Sequence, residues 1–246
     1  MAILLSAARV AGSVADMRAL VSSRPELMHQ WTFEGRFVRE CMTDKRAGLR
    51  LREVAYPARK GAEPNLHEYG PDKTSRCLRI IRQGEKEGRA AETVGPVRFQ
   101  REGTLELLFR ADDIPPGEFN KGWMLHTSAG NRLYLAGVSR FRDVAEVIAG
   151  FGTAQPFHPK AEVVIAWLGG RPSFAPGRWH YLAVTYSHDL RNGQFTINAY
   201  VAPIGVQGAS LAHAVKDARR AGDRAPLGDR VIHLGSAGAS GQILDG

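Results

Sequence analysis

The stretch from Trp179 to Ala202, WHYLAVTYSHDLRNGQFTINAYVA, decides the fold class of this chain. Two runs rich in β-branched and aromatic residues, 179–187 and 194–202, flank the dipeptide Asn192-Gly193. Because asparagine and glycine both tolerate a positive φ, this dipeptide predicts a type I′ turn between two antiparallel strands. The stretch therefore predicts a β-hairpin.

The same strand pattern continues on both sides of this hairpin. In residues 104–110 (TLELLFR), apolar Leu105, Leu107 and Phe109 alternate with other side chains. This period of two is typical of a half-solvated antiparallel strand. Further strands are predicted at 27–33, 49–55, 77–82, 123–127, 131–136, 144–151, 162–168 and 230–235. Short strands at this spacing, separated by turn residues, predict an all-β sandwich or barrel.

Helical spacing is confined to the N-terminal region. Apolar residues recur every three or four positions across 13–23 (SVADMRALVSS), and Pro25 follows. This pattern predicts a short helix. We expect residues 1–25 to form a helical lead-in or linker and residues 26–246 to form one β-sandwich domain.

Composition and charge exclude several classes of protein. The formal net charge is +8, but the basic residues are interleaved with acidic ones and form no long run. No nucleic-acid-binding signature accompanies them, so no nucleic-acid partner is expected. No apolar run reaches the length of a membrane span. The apolar patch in residues 1–12 lacks a preceding basic region, so it is not a convincing signal peptide.

Catalytic and metal-binding motifs are missing from the sequence. It contains no G-x-S-x-G, H-E-x-x-H or P-loop motif, and its eight histidines are dispersed. His180 is expected to be packed or hydrogen-bonded rather than a catalytic base. The two cysteines, Cys41 and Cys77, either pair or occupy separate buried positions.

Several short segments resemble the laminin-G-like and concanavalin A-like jelly rolls. Residues 177–187 (GRWHYLAVTYS) are similar to the family's G-x-W-H-x-x-A-x-T-Y strand, and residues 27–35 (LMHQWTFEG) are similar to its first strand. Residues 43–48 (TDKRAG) resemble its D-x-x-G turn, and residues 234–246 resemble the approach to its last strand. The resemblance covers residues 27–246. It implies an antiparallel two-sheet β-sandwich (jelly roll) with an extracellular or cell-surface location.

The C-terminal end departs from the family pattern. Members of this family continue into an I-D-E-V strand, whereas this sequence stops at Gly246. The resemblance therefore implies either that the sandwich lacks its last strand or that residues 1–24 cover the exposed edge.

Calcium is the cofactor that the resemblance implies. Related jelly rolls often hold this ion between the first turn and the final strand, and calcium prefers carboxylate and carbonyl oxygens. The implied ligands are Glu34, Asp44 and Asp245. The alternative for Asp44 is that its side chain closes its own turn by hydrogen-bonding to the backbone.

Aromatic side chains supply the candidate ligand site. Lectin-like folds bind sugars on exposed rings, and Trp31 and Trp179 fall within the family-like strands, where we expect core packing. Two other tryptophans lie near strand ends and are the candidates for ligand contact, although large aromatics in such positions commonly pack inward. The predicted ligand-binding residues are Trp123, Asn131, Tyr134, Trp167 and Arg171.

Together these features predict a non-catalytic recognition module for carbohydrate or a cell-surface protein, with a lectin-like or adhesive role in a larger extracellular protein. One alternative is a glycoside hydrolase or lyase of the same fold. Such enzymes need two carboxylates in one cleft, and the E-x-D-x-E pattern of the sandwich hydrolases does not occur here. The second alternative is a structural spacer.

Overall fold

The computed structural model describes a large part of the chain. The described residues are 19, 22–33, 43–56, 67–69, 76–78, 80–82, 88–112, 121–127, 133–141, 144–152, 163–167, 175–189, 191, 194–204, 212–219 and 228–235. They are rich in antiparallel strands, which confirms the prediction of a β-rich chain.

Sixteen strands are described, numbered here in chain order. Their bounds are β1 Leu51–Tyr56, β2 His67–Tyr69, β3 Arg76–Leu78, β4 Ile81–Arg82, β5 Gly88–Thr93, β6 Val97–Phe99, β7 Glu102–Phe109, β8 Lys121–Thr127, β9 Leu133–Phe141, β10 Val144–Gly152, β11 Val163–Trp167, β12 His180–Asp189, β13 Gln194–Pro203, β14 Ala212–Arg219, β15 Gly228–Arg230 and β16 Ile232–Leu234.

The large sheet contains eight of these strands. Its order is β1-β5-β16-β8-β9-β10-β11, and β4 also pairs with β5. Strand β16 is only three residues long, yet it pairs with β5 on one side and β8 on the other. Among the described strands, β16 alone connects the two halves of this sheet.

The second sheet is built around the hairpin predicted at the start. Its order is β14-β13-β12-β7, and β12 pairs with β13 from His180↔Pro203 to Asp189↔Gln194. This confirms the hairpin. The register leaves residues 190–193 in the connection, and Asn192 and Gly193 themselves lie outside the described residues. Strands β10 and β11 of the large sheet approach β13, and β11 also approaches β14.

The core centres on β12. Leu182 and Val184 are fully buried, together with Ile197 and Val201 of β13. The alternate residues of β12, Tyr181 and Ala183, form another buried cluster with Tyr200. Leu108 and Ile204 pack against it and are partly buried. Both faces of the second sheet are therefore buried near β12, as expected for a strand with a near-continuous apolar run.

A third cluster joins the N-terminal segment to the large sheet. Leu51 of β1 and Ala91 of β5 pack against Trp31, Phe33 and Leu234. The indole N–H of Trp31 also donates a hydrogen bond to the carbonyl oxygen of Leu49 (3.2 Å). Trp31 is thus partly buried and packs against this cluster.

Residues 27–33 do not form the predicted strand. Their backbone groups bind the turn at residues 44–45 instead: the amide of Gln30 donates to the Asp44 carboxylate (2.8 Å), and its carbonyl accepts from Lys45 N–H (2.8 Å). Phe33 has a φ of 57°, which ends the extended conformation. The predicted strand was wrong here, because the Asp44 side chain and the Lys45 amide bind the backbone of Gln30 where a neighbouring strand would have done so.

The remaining predictions had different outcomes. Strands β5 (GRAAET) and β14 (AHAVKDAR) lie in segments where no strand was predicted. Most of the predicted helix over 13–23 lies outside the described residues, and no complete helix is described there. The described residues contain no helix with the length and apolar character needed to cross a bilayer.

Candidate functional site

Three of the five predicted ligand-binding residues lie on the large sheet. Trp123 is in β8, Tyr134 in β9 and Trp167 in β11. Asn131 and Arg171 lie outside the described residues.

The two tryptophans occupy one cross-strand row. Trp123 pairs with Gly137, Gly137 pairs with Ile148, and Ile148 pairs with Trp167. Directly paired residues of neighbouring strands share one face of a sheet. The two ends of this tryptophan row are separated by three strand spacings, about 14 Å.

A second cross-strand row in the same sheet contains four polar residues. Arg52 of β1 pairs with Glu92, Glu92 with His233, and His233 with His126. His126 in turn pairs with Tyr134, the third predicted ligand-binding residue. We call Arg52, Glu92, His233 and His126 the polar row. No sequence motif marks the polar row, because strand pairing between distant segments brings its residues together.

Most of the polar row is buried. His233 is 4% exposed, His126 3% and Glu92 8%. The guanidinium of Arg52, which is itself largely exposed, binds Glu92 through its Nε (2.6 Å to Oε1) and Nη2. The other carboxylate oxygen, Oε2, lies 3.2 Å from His233 Nδ1. Glu92 therefore lies between one solvated cation and one desolvated imidazole.

The environment of His233 disfavours its protonated form. Burial lowers the pKa of His233 most strongly; the Glu92 carboxylate opposes this effect, and the Arg52 cation adds to it. The resulting pKa is below the usual value for histidine. His233 is therefore neutral at pH 7.

Asp44, a predicted calcium ligand, is held by four donors. Its side chain has no solvent exposure. Oδ1 accepts hydrogen bonds from the amides of Gln30 and Arg46 (both 2.8 Å), and Oδ2 accepts one from the amide of Ala47 (3.0 Å). His29 Nδ1 lies 2.7 Å from Oδ2. The carboxylate thus closes its own turn, as the alternative interpretation predicted, and also fixes residues 29–30 against it.

These surroundings do not fit a calcium ion at Asp44. Calcium requires oxygen ligands, whereas N–H groups point at both carboxylate oxygens. Within the described part of the chain, no three His, Cys, Asp or Glu side chains are grouped as metal ligands. The other implied ligands, Glu34 and Asp245, lie outside it. Calcium binding stays a prediction.

His180 is a structural histidine. It is buried and stacked against Phe109, with ring centroids 5.5 Å apart. Its Nε2 accepts from the amide of Ala175 (3.3 Å), so Nδ1 must carry the proton that bonds the carbonyl of Arg178 (2.9 Å). Both ring nitrogens are engaged in the neutral tautomer, which confirms that His180 is packed and hydrogen-bonded.

Glu106 of β7 is largely buried and takes part in an ion pair. An alternating strand places Glu106 on the face opposite its apolar residues, but the Glu106 side chain is only 14% exposed and binds Arg24 (2.8 Å). Burial, and then the adjacent Glu106 carboxylate, raise the pKa of Tyr181 well above its usual range, so its hydroxyl remains protonated. The ion pair between Arg24 and Glu106 connects the N-terminal segment to the second sheet.

Replacing Glu106 with glutamine is expected to lower the free energy of unfolding by about 1 kcal/mol, because it removes one partner's charge from a half-buried ion pair. Urea unfolding would measure the change. Glu102→Gln, at an exposed position of the same strand, is the matched control and should change stability little. Equal effects of the two variants would contradict a stabilising role for the Arg24 contact.

Comparison of the chain with protein-family models, curated proteins and solved structures finds no match. The resemblance to laminin-G-like jelly rolls therefore stays a prediction, and any functional conclusion depends on the residues of this chain.

Of the two cysteines, Cys41 lies outside the described residues, so the pairing of Cys41 with Cys77 stays a prediction.

Proposed function

We propose that this chain is a non-catalytic recognition module that binds carbohydrate on the large sheet of a laminin-G-like sandwich. The observation that supports the proposal most strongly is the tryptophan row, which brings Trp123 and Trp167 onto one face from segments 44 residues apart in sequence. Aromatic rings offer an apolar surface with specific geometry to a flat ligand.

The residues between the two tryptophans suit this role. Gly137 has no side chain and Ile148 is aliphatic, so the middle of the row carries no charge. A row about 14 Å long is larger than one sugar ring. The ligand class that fits is therefore an extended saccharide of several units lying across the strands.

The described carboxylates provide support against the hydrolase alternative. No strand pair in the described registers places two carboxylates opposite each other. The buried carboxylates of Asp44 and Glu92 are both engaged by donors or cations. Two carboxylates available in one cleft are what glycoside hydrolysis requires.

Replacing Trp123 or Trp167 with alanine is expected to weaken polysaccharide binding about tenfold or more, because truncating a tryptophan at the centre of an interface commonly costs over 1 kcal/mol. Affinity electrophoresis against a panel of soluble neutral and acidic polysaccharides would measure it. Trp123→Phe and Trp167→Phe keep a ring and should retain most of the affinity.

The same experiment separates the alternatives. Circular dichroism establishes that each variant is folded, and Trp179→Phe, at the residue that precedes β12, is the control for loss of a tryptophan elsewhere. If the wild type binds a polysaccharide and both alanine variants bind it equally well, the proposed site is wrong. New reducing ends in the polysaccharide would favour a hydrolase, and absence of binding to every polysaccharide would favour a protein partner or spacer.

A further inference from the structure

Strand β16 holds the two halves of the large sheet together through few interactions. It has three residues and lies between β5 and β8. Apart from its ladder pairs, the amide of Ile232 donates to Thr93 Oγ1 (3.0 Å) and the amide of Gly235 donates to the Met124 carbonyl (3.0 Å). Separation of β16 from either neighbour divides the sheet.

A titratable residue occupies the middle of this strand. His233 is paired with Glu92 on one side and with His126 on the other, and all three residues are buried. Neither ring nitrogen has a hydrogen-bond partner among the described residues, and Nδ1 lies 3.2 Å from Glu92 whereas Nε2 has no such neighbour in the polar row. A proton added there would create a buried N–H without an acceptor, which is costly.

The neighbours of His233 do not compensate for that charge. Glu92 is its one acidic neighbour in the row, but Arg52 already binds this carboxylate with two of its nitrogens. On the other side, His126 carries no negative charge that could neutralise a protonated His233. The described groups that face His233 across the sheet are thus one shared anion, one cation and a second histidine.

We propose that mild acidification opens β16 locally and divides the large sheet between β5 and β8. In the closed strand His233 is neutral, whereas in the opened strand it is solvated and takes up a proton near the usual histidine pKa of about 6.5. Opening is therefore coupled to proton uptake as the pH falls below that value. This pH response does not depend on the proposed carbohydrate function.

Burial fixes the sign of this response. It lowers the pKa of His233 in the closed strand, with Glu92 opposing and Arg52 adding to the effect. The closed strand is therefore most stable relative to the opened strand at pH values above the usual histidine pKa. It loses this stability as the pH falls below that value. For one proton, the opening equilibrium between pH 7.5 and 5.0 can rise at most about 30-fold.

Native-state hydrogen exchange of the full chain tests the proposal. The amides of residues 232–235 are followed between pH 7.5 and 5.0 after correction for intrinsic exchange rates, with those of Ile197 and Val201 in β13 reporting global unfolding. We expect protection at β16 to fall about tenfold or more while protection in β13 remains higher. Unchanged protection at β16, or a fall identical to that in β13, would overturn the proposal.

Two variants assign the effect to the polar row. His233→Gln removes the titrating group and should reduce the pH-dependent change to less than about threefold. Arg52→Gln alters a largely exposed side chain, so it should fold. It leaves Glu92 free to stabilise protonated His233 and should also weaken the pH dependence. His188→Gln, in the second sheet, is the control, and wild-type pH dependence in both row variants would refute the assignment.

Discussion

Replacing Asp44 with alanine is expected to lower the free energy of unfolding by about 3 to 5 kcal/mol. The carboxylate is fully buried and accepts hydrogen bonds from the amides of Gln30, Arg46 and Ala47, with His29 beside it. Each buried donor left without a partner costs about 1 to 3 kcal/mol. Urea unfolding followed by tryptophan fluorescence would measure the loss.

Two variants show whether the loss comes from buried hydrogen bonds. Asp44→Asn keeps the shape but turns an amide group toward backbone donors, so a loss of about 2 kcal/mol is expected. Asp189 also accepts an amide hydrogen bond two residues ahead, from Arg191 (2.9 Å), but it is exposed. Asp189→Ala should therefore cost less than about 1 kcal/mol. Similar losses in both alanine variants would show that burial at Asp44 does not matter.

Acid titration gives a separate signature of Asp44. Burial raises the pKa of this carboxyl, but the hydrogen bonds from Gln30, Arg46, His29 and Ala47 outweigh it, and the net pKa is lowered. Its contribution to stability is therefore present above the unfolded value of about 3.9 and is lost as the pH falls below it. Asp44→Asn should lack this part of the acid dependence.

The same variant also tests for calcium. A structural carboxylate predicts that a chelator leaves the melting temperature of the wild type unchanged. A decrease on chelation in the wild type, absent from Asp44→Asn, would instead identify Asp44 as a calcium ligand.

Gly235→Ala is expected to destabilise the protein by about 3 kcal/mol. Gly235 follows β16 and has a φ of 80°, a conformation that costs L-residues about 1 kcal/mol. A Cβ there would also collide with the buried side chain of Ile80, and such overpacking adds about 1 to 3 kcal/mol. Thermal and urea unfolding would measure the sum.

Gly177 provides a matched control. It has a φ of 74°, but no atom lies within 4 Å of where a Cβ would stand. Gly177→Ala should therefore cost about 1 kcal/mol, the conformational part alone. Combining Gly235→Ala with Ile80→Ala should give a loss smaller than the sum of the single changes, because the double variant removes the collision. Strict additivity would show that Ile80 is not the obstacle.

Local sequence patterns predicted strands with apolar or alternating sequences, including β7, although its partner β12 is distant in the chain. The hairpin of β12 and β13 was evident because two apolar, β-branched runs follow each other closely. Strand β5 (GRAAET) was not predicted, since small and charged residues have low strand propensity. Its strand conformation depends on β1 and β16, which lie on either side of it in the sheet.

The candidate sites show the same limit. Trp123 and Trp167 were chosen for their residue type, but their shared row depends on registers that no motif encodes. The polar row was missed because Glu92 and His233 are 141 positions apart in the sequence and meet only through strand pairing. Asp44 was identified from its turn. The resemblance to a calcium site, however, did not predict that the amides of Gln30, Arg46 and Ala47 donate to its carboxylate.

Strand β16 follows both of its partners in the chain by more than 100 residues, and this order has a consequence during biosynthesis. Strands β5 and β8 emerge from the ribosome long before residues 232–234, which must pair with both of them. Until then each presents an open edge of unpaired amides and carbonyls, the kind of template on which nascent chains associate. Completion of the large sheet must therefore await translation of residues 232–234, which makes chaperone protection during synthesis more valuable for this chain than for one with local strand pairing.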